Sequence, residues 1–130
     1  MGRQAEGTGM LGQGRASYRM IAVDHYSEPI RVWHRDGNIL LMDVRYPVIS
    51  PDLRDLLETF GKPEAMLDSH FSSIVIEKSE WVYASKGLSL FINPDNFILL
   101  RLAAYPPASL EHYHQELRLQ LEIRRRQGFL

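Results

Sequence analysis

The chain has 130 residues, of which 45% are hydrophobic and 24% are charged, and its formal net charge is −1. This length suits one globular domain, and the small charge gives no overall field that would attract nucleic acid or an anionic membrane. The absence of cysteine excludes disulfides and thiolate sites and fits a reducing compartment. With no long apolar run and no signal-peptide core, we expect a cytoplasmic protein that binds neither nucleic acid nor membrane.

Residues 1–17 contain five glycines and no aromatic residue. A segment of this composition buries too little surface to offset its loss of conformational entropy. We therefore predict a disordered leader at residues 1–17 and a single ordered domain at residues 18–130. A short strand is expected at the start of that domain, over residues 18–24.

A β-hairpin is predicted next, with arms at residues 30–34 and 39–46. Asp36-Gly37 lies between the two arms. Glycine tolerates the positive φ that a tight hairpin turn requires, so Asp-Gly between β-prone runs is a strong hairpin signal. The second arm alternates so that one of its faces is apolar throughout, and we expect that face in the core.

Two helices are predicted, at residues 51–60 and 110–125. Ser50 and Pro51 suit the first N-terminus, and Gly61 suits its end. Its apolar stripe is Leu53, Leu56, Leu57 and Phe60. Ser109 caps the second helix, whose stripe is Leu110, Tyr113, Leu117 and Leu121.

Between the helices, residues 63–71 are ambiguous, residues 73–77 indicate a strand, and Lys78-Ser79 indicates a turn. Residues 80–104 then form three strands, separated by turns at 85–87 and 93–96. The last run, residues 97–104, is apolar on both alternating sets, which is typical of a central strand covered on both faces. The fold prediction is α+β: an antiparallel sheet of five or six strands with two helices packed mainly on one face. A partner subunit is one source of cover for the second face.

No pattern of residues indicates a catalytic or metal site. Asp68-Ser69-His70 has the residue types of a hydrolytic triad, but consecutive residues in extended chain point in alternate directions. His112 and His114 are two apart, so a helix would point them about 200° away from each other. We expect no catalytic residue, no metal and no cofactor, and a non-enzyme rather than an enzyme.

Aromatic residues on the predicted strands have two interpretations. They fill the core between sheet and helices, or they line a small-ligand pocket together with a few polar groups. The candidate ligand-binding residues are Trp33, His70, Glu80, Trp81 and Tyr83.

One order of motifs resembles a known family. After the helix that starts at Ser50 come Phe60-Gly61-Lys62-Pro63, then Glu80-Trp81-Val82-Tyr83, and then the strands at 87–92 and 97–103. This resembles the repeat of the β-lactamase-inhibitor-like family, which includes small outer-membrane assembly lipoproteins. The resemblance covers residues 50–104 and implies a helix packed on an antiparallel sheet and a role in protein–protein contact. The sequence has no lipobox cysteine and no second repeat, and Phe60 stands where leucine is usual.

Three functions follow as hypotheses. The first is a non-catalytic protein–protein interaction module, of a bacterial inhibitor or immunity type, with an unknown protein partner or a second copy bound through a sheet face or edge. The second is a small-ligand-binding or enzymatic α+β domain with the aromatic-lined pocket. The third is nucleic-acid binding through Arg124-Arg125-Arg126, although a solvated helix end is the favoured interpretation of these arginines.

Overall fold

The computed structural model describes residues 6–22, 29–47, 53–71 and 74–119. They form eight strands and two short helices: β1 Glu6–Leu11, β2 Gly14–Ile21, β3 Ile30–Arg35, β4 Asn38–Arg45, α1 Leu53–Phe60, β5 Ala65–Phe71, β6 Ile74–Tyr83, β7 Leu88–Asn93, β8 Ile98–Ala104 and α2 Leu110–His112. A 3₁₀ turn follows β6 at Ala84–Lys86, and a π-helical turn follows α2 at Tyr113–Leu117. No helix in this part of the chain is long and apolar enough to cross a membrane.

All eight strands belong to one antiparallel sheet with the order β1-β2-β3-β4-β8-β7-β6-β5. The prediction of five or six strands is therefore wrong. Strand β1 and half of β2 lie within residues 6–17, in the segment predicted to be a disordered leader. Neighbouring aromatic rings explain why this glycine-rich segment forms a strand. A Cβ on Gly7 would lie 2.4 Å from the Tyr18 hydroxyl and one on Gly9 would lie 3.2 Å from the Trp33 ring, so glycine lets these rings cover the strand.

Strands β5 and β6 replace the predicted ambiguous segment and the predicted turn at Lys78-Ser79. Strand β6 runs without interruption through both residues, and Lys78 takes a positive φ of 54°. The pairing with β5 shifts between Leu67 and Ser69, and the Asp68 carboxylate accepts the Lys78 amide at 3.0 Å. Lys78-Ser79 therefore lies at a β-bulge within β6 and does not form a turn.

Two local predictions are confirmed. Asp36 (φ 53°) and Gly37 (φ 82°) form the two-residue turn between β3 and β4. Helix α1 ends at Phe60 as predicted, with the Gly61 amide bonded to the Leu57 carbonyl at 2.8 Å and Gly61 at φ 76°. Its predicted start at Ser50-Pro51 lies outside the described residues.

The sheet is strongly curled around one core. In a flat sheet of eight strands the outer two would lie about 33 Å apart. Here the Arg118 carbonyl accepts the Gly12 amide beside β1 at 2.6 Å, while the Arg118 side chain donates to the Asp68 carbonyl of β5 at 2.8 Å. The concave face encloses a core to which every strand contributes: Leu11, Ala16, Trp33, Leu41, Ala65, Leu67, Val82, Phe91 and Ala103.

The two helices pack on opposite faces of the sheet, so the prediction of both mainly on one face is wrong. Tyr113 and Leu117 from the C-terminal segment fill the concave face. Helix α1 packs on the convex face, where Leu53 contacts a cluster that includes Leu90 and Leu99. Central strand β8 is covered on both faces, as predicted, and the cover comes from the chain itself.

The second helix is much shorter than the predicted 110–125. Ser109 caps it as expected, accepting the His112 amide at 3.0 Å. The chain then passes through the π-helical turn, and Arg118 is extended at φ −66° and ψ 127°. Leu119 forms a β-bridge with Leu11, so pairing with β1 ends the helix. Residues 120–130, with Arg124–Arg126, lie outside the described residues.

Candidate functional site

The structure distributes the five candidate ligand-binding residues over both faces of the sheet and does not assemble them. Trp33 and Glu80 lie on the concave face, whereas Trp81 and Tyr83 lie on the convex face beside α1. His70 lies half-buried on edge strand β5. Because Glu80 and Trp81 are neighbours on one strand, their side chains point to opposite sides of the sheet. Since they lie on opposite faces of the sheet, the five described side chains do not line one common cavity.

The three aromatic candidates occupy packed positions. Trp33 is 4% exposed and its ring centroid lies 4.9 Å from that of Tyr18. Its Nε1 has no hydrogen-bond acceptor among the described residues. Tyr83 donates to the Gly61 carbonyl at 2.8 Å and so joins β6 to the end of α1. Trp81 donates to the Lys78 carbonyl at 3.1 Å and meets the Phe97 ring edge-on.

Glu80 is the candidate with the richest polar surroundings. Its side chain is fully buried and accepts a short hydrogen bond from the Tyr113 hydroxyl. The other carboxylate oxygen accepts from Nε of Arg118 at 2.9 Å. Two side chains of the C-terminal segment thus bind one acid on β6.

A pair of hydrogen-bonded hydroxyl groups lies on the same face. The hydroxyls of Ser89 and Tyr105 are 2.8 Å apart, and the Tyr105 hydroxyl also reaches the Leu88 carbonyl at 3.0 Å. The rings of Tyr105 and Tyr113 lie 5.2 Å apart between centroids. The acid and the hydroxyl pair therefore form one buried polar region beneath the C-terminal segment.

Burial governs the protonation of this region. Desolvation raises the pKa of Glu80, against the opposing attraction of Arg118 and the hydrogen bond from Tyr113. The pKa of Tyr113 is raised well above its usual value, first by burial and then by the negative charge of Glu80. Tyr113 therefore stays protonated and donates to Glu80.

The chemical capacity of this region is limited by access. Glu80 and Tyr113 are each 0% exposed, so no dissolved molecule reaches them while the C-terminal segment is docked. An acid with a raised pKa is typical of catalytic sites, but ion-pair networks also produce it. The contacts favour a structural role, in which Glu80 holds the C-terminal segment on the sheet.

The other polar motifs are dispersed. In β5 the Asp68 carboxylate binds the Lys78 amide, while Ser69 is 3% exposed. His112 is exposed and His114 lies edge-on to the Tyr113 ring. Within residues 6–22, 29–47, 53–71 and 74–119, no group of three or more His, Asp or Glu side chains could hold a metal ion.

The convex face of β2–β4 carries a surface that no motif indicated. Met42 pairs with Val32 on one side and with Ala104 on the other, and Val44 pairs with Leu102. Ile21 and Ile30 form a further pair on this face. We define the convex patch as Ile21, Ile30, Val32, Met42 and Val44. Met42 is 41% exposed and Ile21 is 38% exposed. Helix α1 packs against the neighbouring Leu102 and Leu90.

Sequence reasoning missed the convex patch and the two partners of Glu80 for identifiable reasons. The alternation of β4 did indicate one apolar face, but the prediction that this face lies in the core is wrong: Met42 is 41% exposed, and the opposite face places Leu41 in the core. Alternation could not show which part of the sheet α1 would leave open. The partners of Glu80 are 33 and 38 positions away along the chain, and no local pattern links them. Arg118 lay within a predicted helix, where it would have been solvated.

Comparisons of the chain with protein-family models, with curated proteins and with solved structures found no match. The resemblance of residues 50–104 to the β-lactamase-inhibitor-like repeat stays a prediction.

Proposed function

We propose that this chain is a non-catalytic protein-binding module and that the convex patch is its binding surface. The observation that supports this function is the run of large apolar side chains across β2, β3 and β4, which continues from the cluster under α1. Contiguous exposed apolar surface on a soluble domain marks interaction sites more often than isolated apolar residues do. The five side chains contain no group that could act as an acid, base or nucleophile.

The rim of the patch suits a protein partner. Arg19 lies beside Val32 on the neighbouring strand, and its Nε is 4.0 Å from the Glu6 carboxylate. An apolar centre with charges of both signs at its margin is typical of protein interfaces. The first partner to test is a second copy of the chain, because exposed sheet faces pack on one another about 10 Å apart and two-fold dimers are the commonest assemblies.

The test measures the molar mass of the purified chain by sedimentation velocity over a range of concentrations. Wild type should self-associate, and Met42→Lys should stay monomeric because a lysine ammonium would be buried without a partner. Ile98→Lys is the matched control, since Ile98 is 52% exposed but lies outside the patch. It should behave like wild type.

Two outcomes would contradict the assignment. One is a wild-type dimer that both lysine variants weaken equally. The other is a monomeric wild type that retains the same co-purifying proteins as Met42→Lys when both are used as bait. If a different protein co-purifies with wild type and with Ile98→Lys but not with Met42→Lys, the protein-binding function stands. The partner is then that protein and not a second copy of the chain.

The remaining parts of the proposal follow from the sequence. A cysteine-free chain with a net charge of −1 fits a cytoplasmic module that binds neither nucleic acid nor membrane. An inhibitor-like or immunity-like role is the form of protein binding that the resemblance implies. Staining for the tagged protein after fractionation of the source cells tests the compartment.

A further inference from the structure

The C-terminal segment, residues 110–119, is bonded to both edges of the curled sheet. The Gly12 amide, in the turn after β1, donates to the Arg118 carbonyl at 2.6 Å, and the adjacent Gln13 amide donates to the Gln115 carbonyl at 2.8 Å. At the other edge, the Arg118 guanidinium donates to a carbonyl of β5 at 2.8 Å. The segment therefore spans the space between β1 and β5.

Buried side chains fix the inner side of this segment. Tyr113 is 0% exposed and Leu117 is 3% exposed. The Tyr113 hydroxyl and the Arg118 guanidinium both donate to the Glu80 carboxylate. A buried carboxylate is costly without such partners. Since one acid binds two positions of the segment, we expect both bonds to form and break together.

The segment contains too few residues to keep its helical turns alone. Helix α2 has three residues, and the π-helical turn that follows it has five. An isolated helix shorter than about 12–15 residues is marginal in water, because nucleation of the first turn is unfavourable. Away from the sheet, residues 110–119 would lose their helical turns. Docking and folding of this segment are therefore one event.

The cluster under α1 forms a second core on the opposite face of the sheet. Its described members lie between Leu53 and Leu102, and the fully buried ones include Tyr83, Leu90 and Ile92. They join α1 to β6, β7 and β8. A region that keeps its own buried contacts can stay folded when another part of the chain opens. The cluster under α1 meets this condition when the C-terminal segment leaves the concave face.

We infer that residues 110–119 are a strap that detaches from the concave face as one unit while α1 and β6–β8 stay folded. Detachment removes Tyr113 from the Glu80 carboxylate and from the ring of Tyr105, so the strap controls access to the polar interior of the sheet. Its opening costs less free energy than global unfolding, because the cluster under α1 is kept. The strap is separate from the convex patch and does not depend on the protein-binding function.

Native-state hydrogen exchange of the full chain, followed by NMR, tests this inference. The strap reporters are the amides of Gly12, Gln13 and Arg118, whose acceptors lie in the segment. They should exchange with one common free energy of opening, below that of the slowest amides of β7 and β8. Low concentrations of urea should change the opening of the strap less than global unfolding, because the dependence on urea scales with the surface exposed.

Two matched leucine substitutions separate local opening from global unfolding. Leu56→Ala removes a half-buried side chain from the cluster under α1. It should speed exchange of the slowest β7 and β8 amides about tenfold or more. It should leave the strap reporters unchanged, because the cluster is intact in both the closed and the opened state. Leu117→Ala should speed both sets of amides by the same factor, since either opening removes Leu117 from the core.

Three outcomes would overturn the inference. If Leu56→Ala speeds the strap reporters as much as the β7 and β8 amides, the segment leaves the sheet only on global unfolding. Unequal free energies of opening among the three reporters would show that the segment frays in separate parts. The third outcome is a wild-type chain whose strap reporters have the free energy and the urea dependence of the slowest amides. This wild-type comparison is decisive even if an alanine variant does not fold.

Discussion

The concave and convex faces of the sheet distribute polarity in opposite ways. The concave face encloses two acids with their arginines, Glu80 with Arg118 and Asp43 with Arg101. The convex face of β2–β4 presents Met42 and Ile21 to solvent. Buried charges need partners and exposed apolar groups need cover, so each face carries a requirement that the other lacks.

The difference teaches how each face depends on its surroundings. On the concave face the chain itself supplies the partners of Glu80, because the C-terminal segment carries Tyr113 and Arg118. On the convex face, apolar side chains are covered by the chain where α1 packs on β6–β8. Substitutions on the concave face should therefore alter folding stability, and those on the convex patch should alter association.

The largest effect is expected for Asp43→Ala. It leaves the Arg101 guanidinium buried without a counter-charge, so the free energy of unfolding should fall by about 3–5 kcal/mol. Urea unfolding followed by tryptophan fluorescence measures the change. The double variant Asp43→Ala with Arg101→Met should recover part of the loss, because it removes the unpaired charge. A single-variant loss below about 1 kcal/mol would show that the pair is not desolvated.

A smaller effect is expected where the C-terminal segment meets the β1–β2 turn. A Cβ on Gly12, at φ 62°, would lie 2.3 Å from the Gln115 carbonyl oxygen, whereas one on Gly37, at φ 82°, meets nothing within 4 Å. Gly37→Ala should cost about 1 kcal/mol for its backbone conformation alone.

Gly12→Ala should cost about 3 kcal/mol, since it also disturbs the bonds from Gly12 to Arg118 and from Gln13 to Gln115. The same urea measurement applies to both alanine variants. Equal costs would mean that the docked segment contributes nothing at this turn.

Glu80 should make stability depend on pH. Burial raises its folded pKa above the usual 4.5, so the folded state holds the proton at pH values where the unfolded state has released it. Its stabilising contribution is therefore complete below about 4.5 and is lost as the pH rises through the raised pKa. The free energy of unfolding of wild type, relative to Glu80→Gln, should increase as the pH is lowered from 7.5 to 5.

Tyr113→Phe sharpens this test. The Tyr113 hydrogen bond lowers the pKa of Glu80, so its removal should strengthen the dependence on pH. A Glu80→Gln variant that follows the wild-type profile would show that Glu80 ionises alike in both states.

The smallest effect on stability is expected for Met42→Lys. A lysine at this exposed position keeps its ammonium in water in the monomer, so the free energy of unfolding should change by about 0.5 kcal/mol or less. Association should change far more than stability. A loss of 2 kcal/mol or more, on the order of a core substitution, would place Met42 in the core and remove the basis of the convex patch.

Elements with local signals could be predicted from the sequence. The Asp36-Gly37 turn, the end of α1 at Gly61 and the covered strand β8 depend on residues within a few positions of one another. Strand β1 could not be predicted in this way, because glycine weakens a strand and the rings that lie against Gly7 and Gly9 come from Tyr18 and Trp33 on two other strands. The end of the second helix likewise depends on Leu11, at the other end of the chain.

The candidate site was predictable only in part. Glu80 could be selected as a notable acid, but its partners Tyr113 and Arg118 are fixed by docking of the C-terminal segment. The ion pair of Asp43 and Arg101 joins two strands, β4 and β8, and the register between strands is set by tertiary packing. Alternation assigns a side chain to one of two faces, and it leaves open what covers that face.

The pairing of Leu11 with Leu119 sets the order in which the fold can be completed during synthesis. Contacts between residues so far apart in sequence form slowly, because a long loop must close before they contribute stability. Until residue 119 has been added, the glycine-rich β1 lacks its contact with the C-terminal segment and the Arg118 link to β5 does not exist. A nascent chain would present two unprotected strand edges up to that point, which is when recruitment into foreign sheets is most favourable.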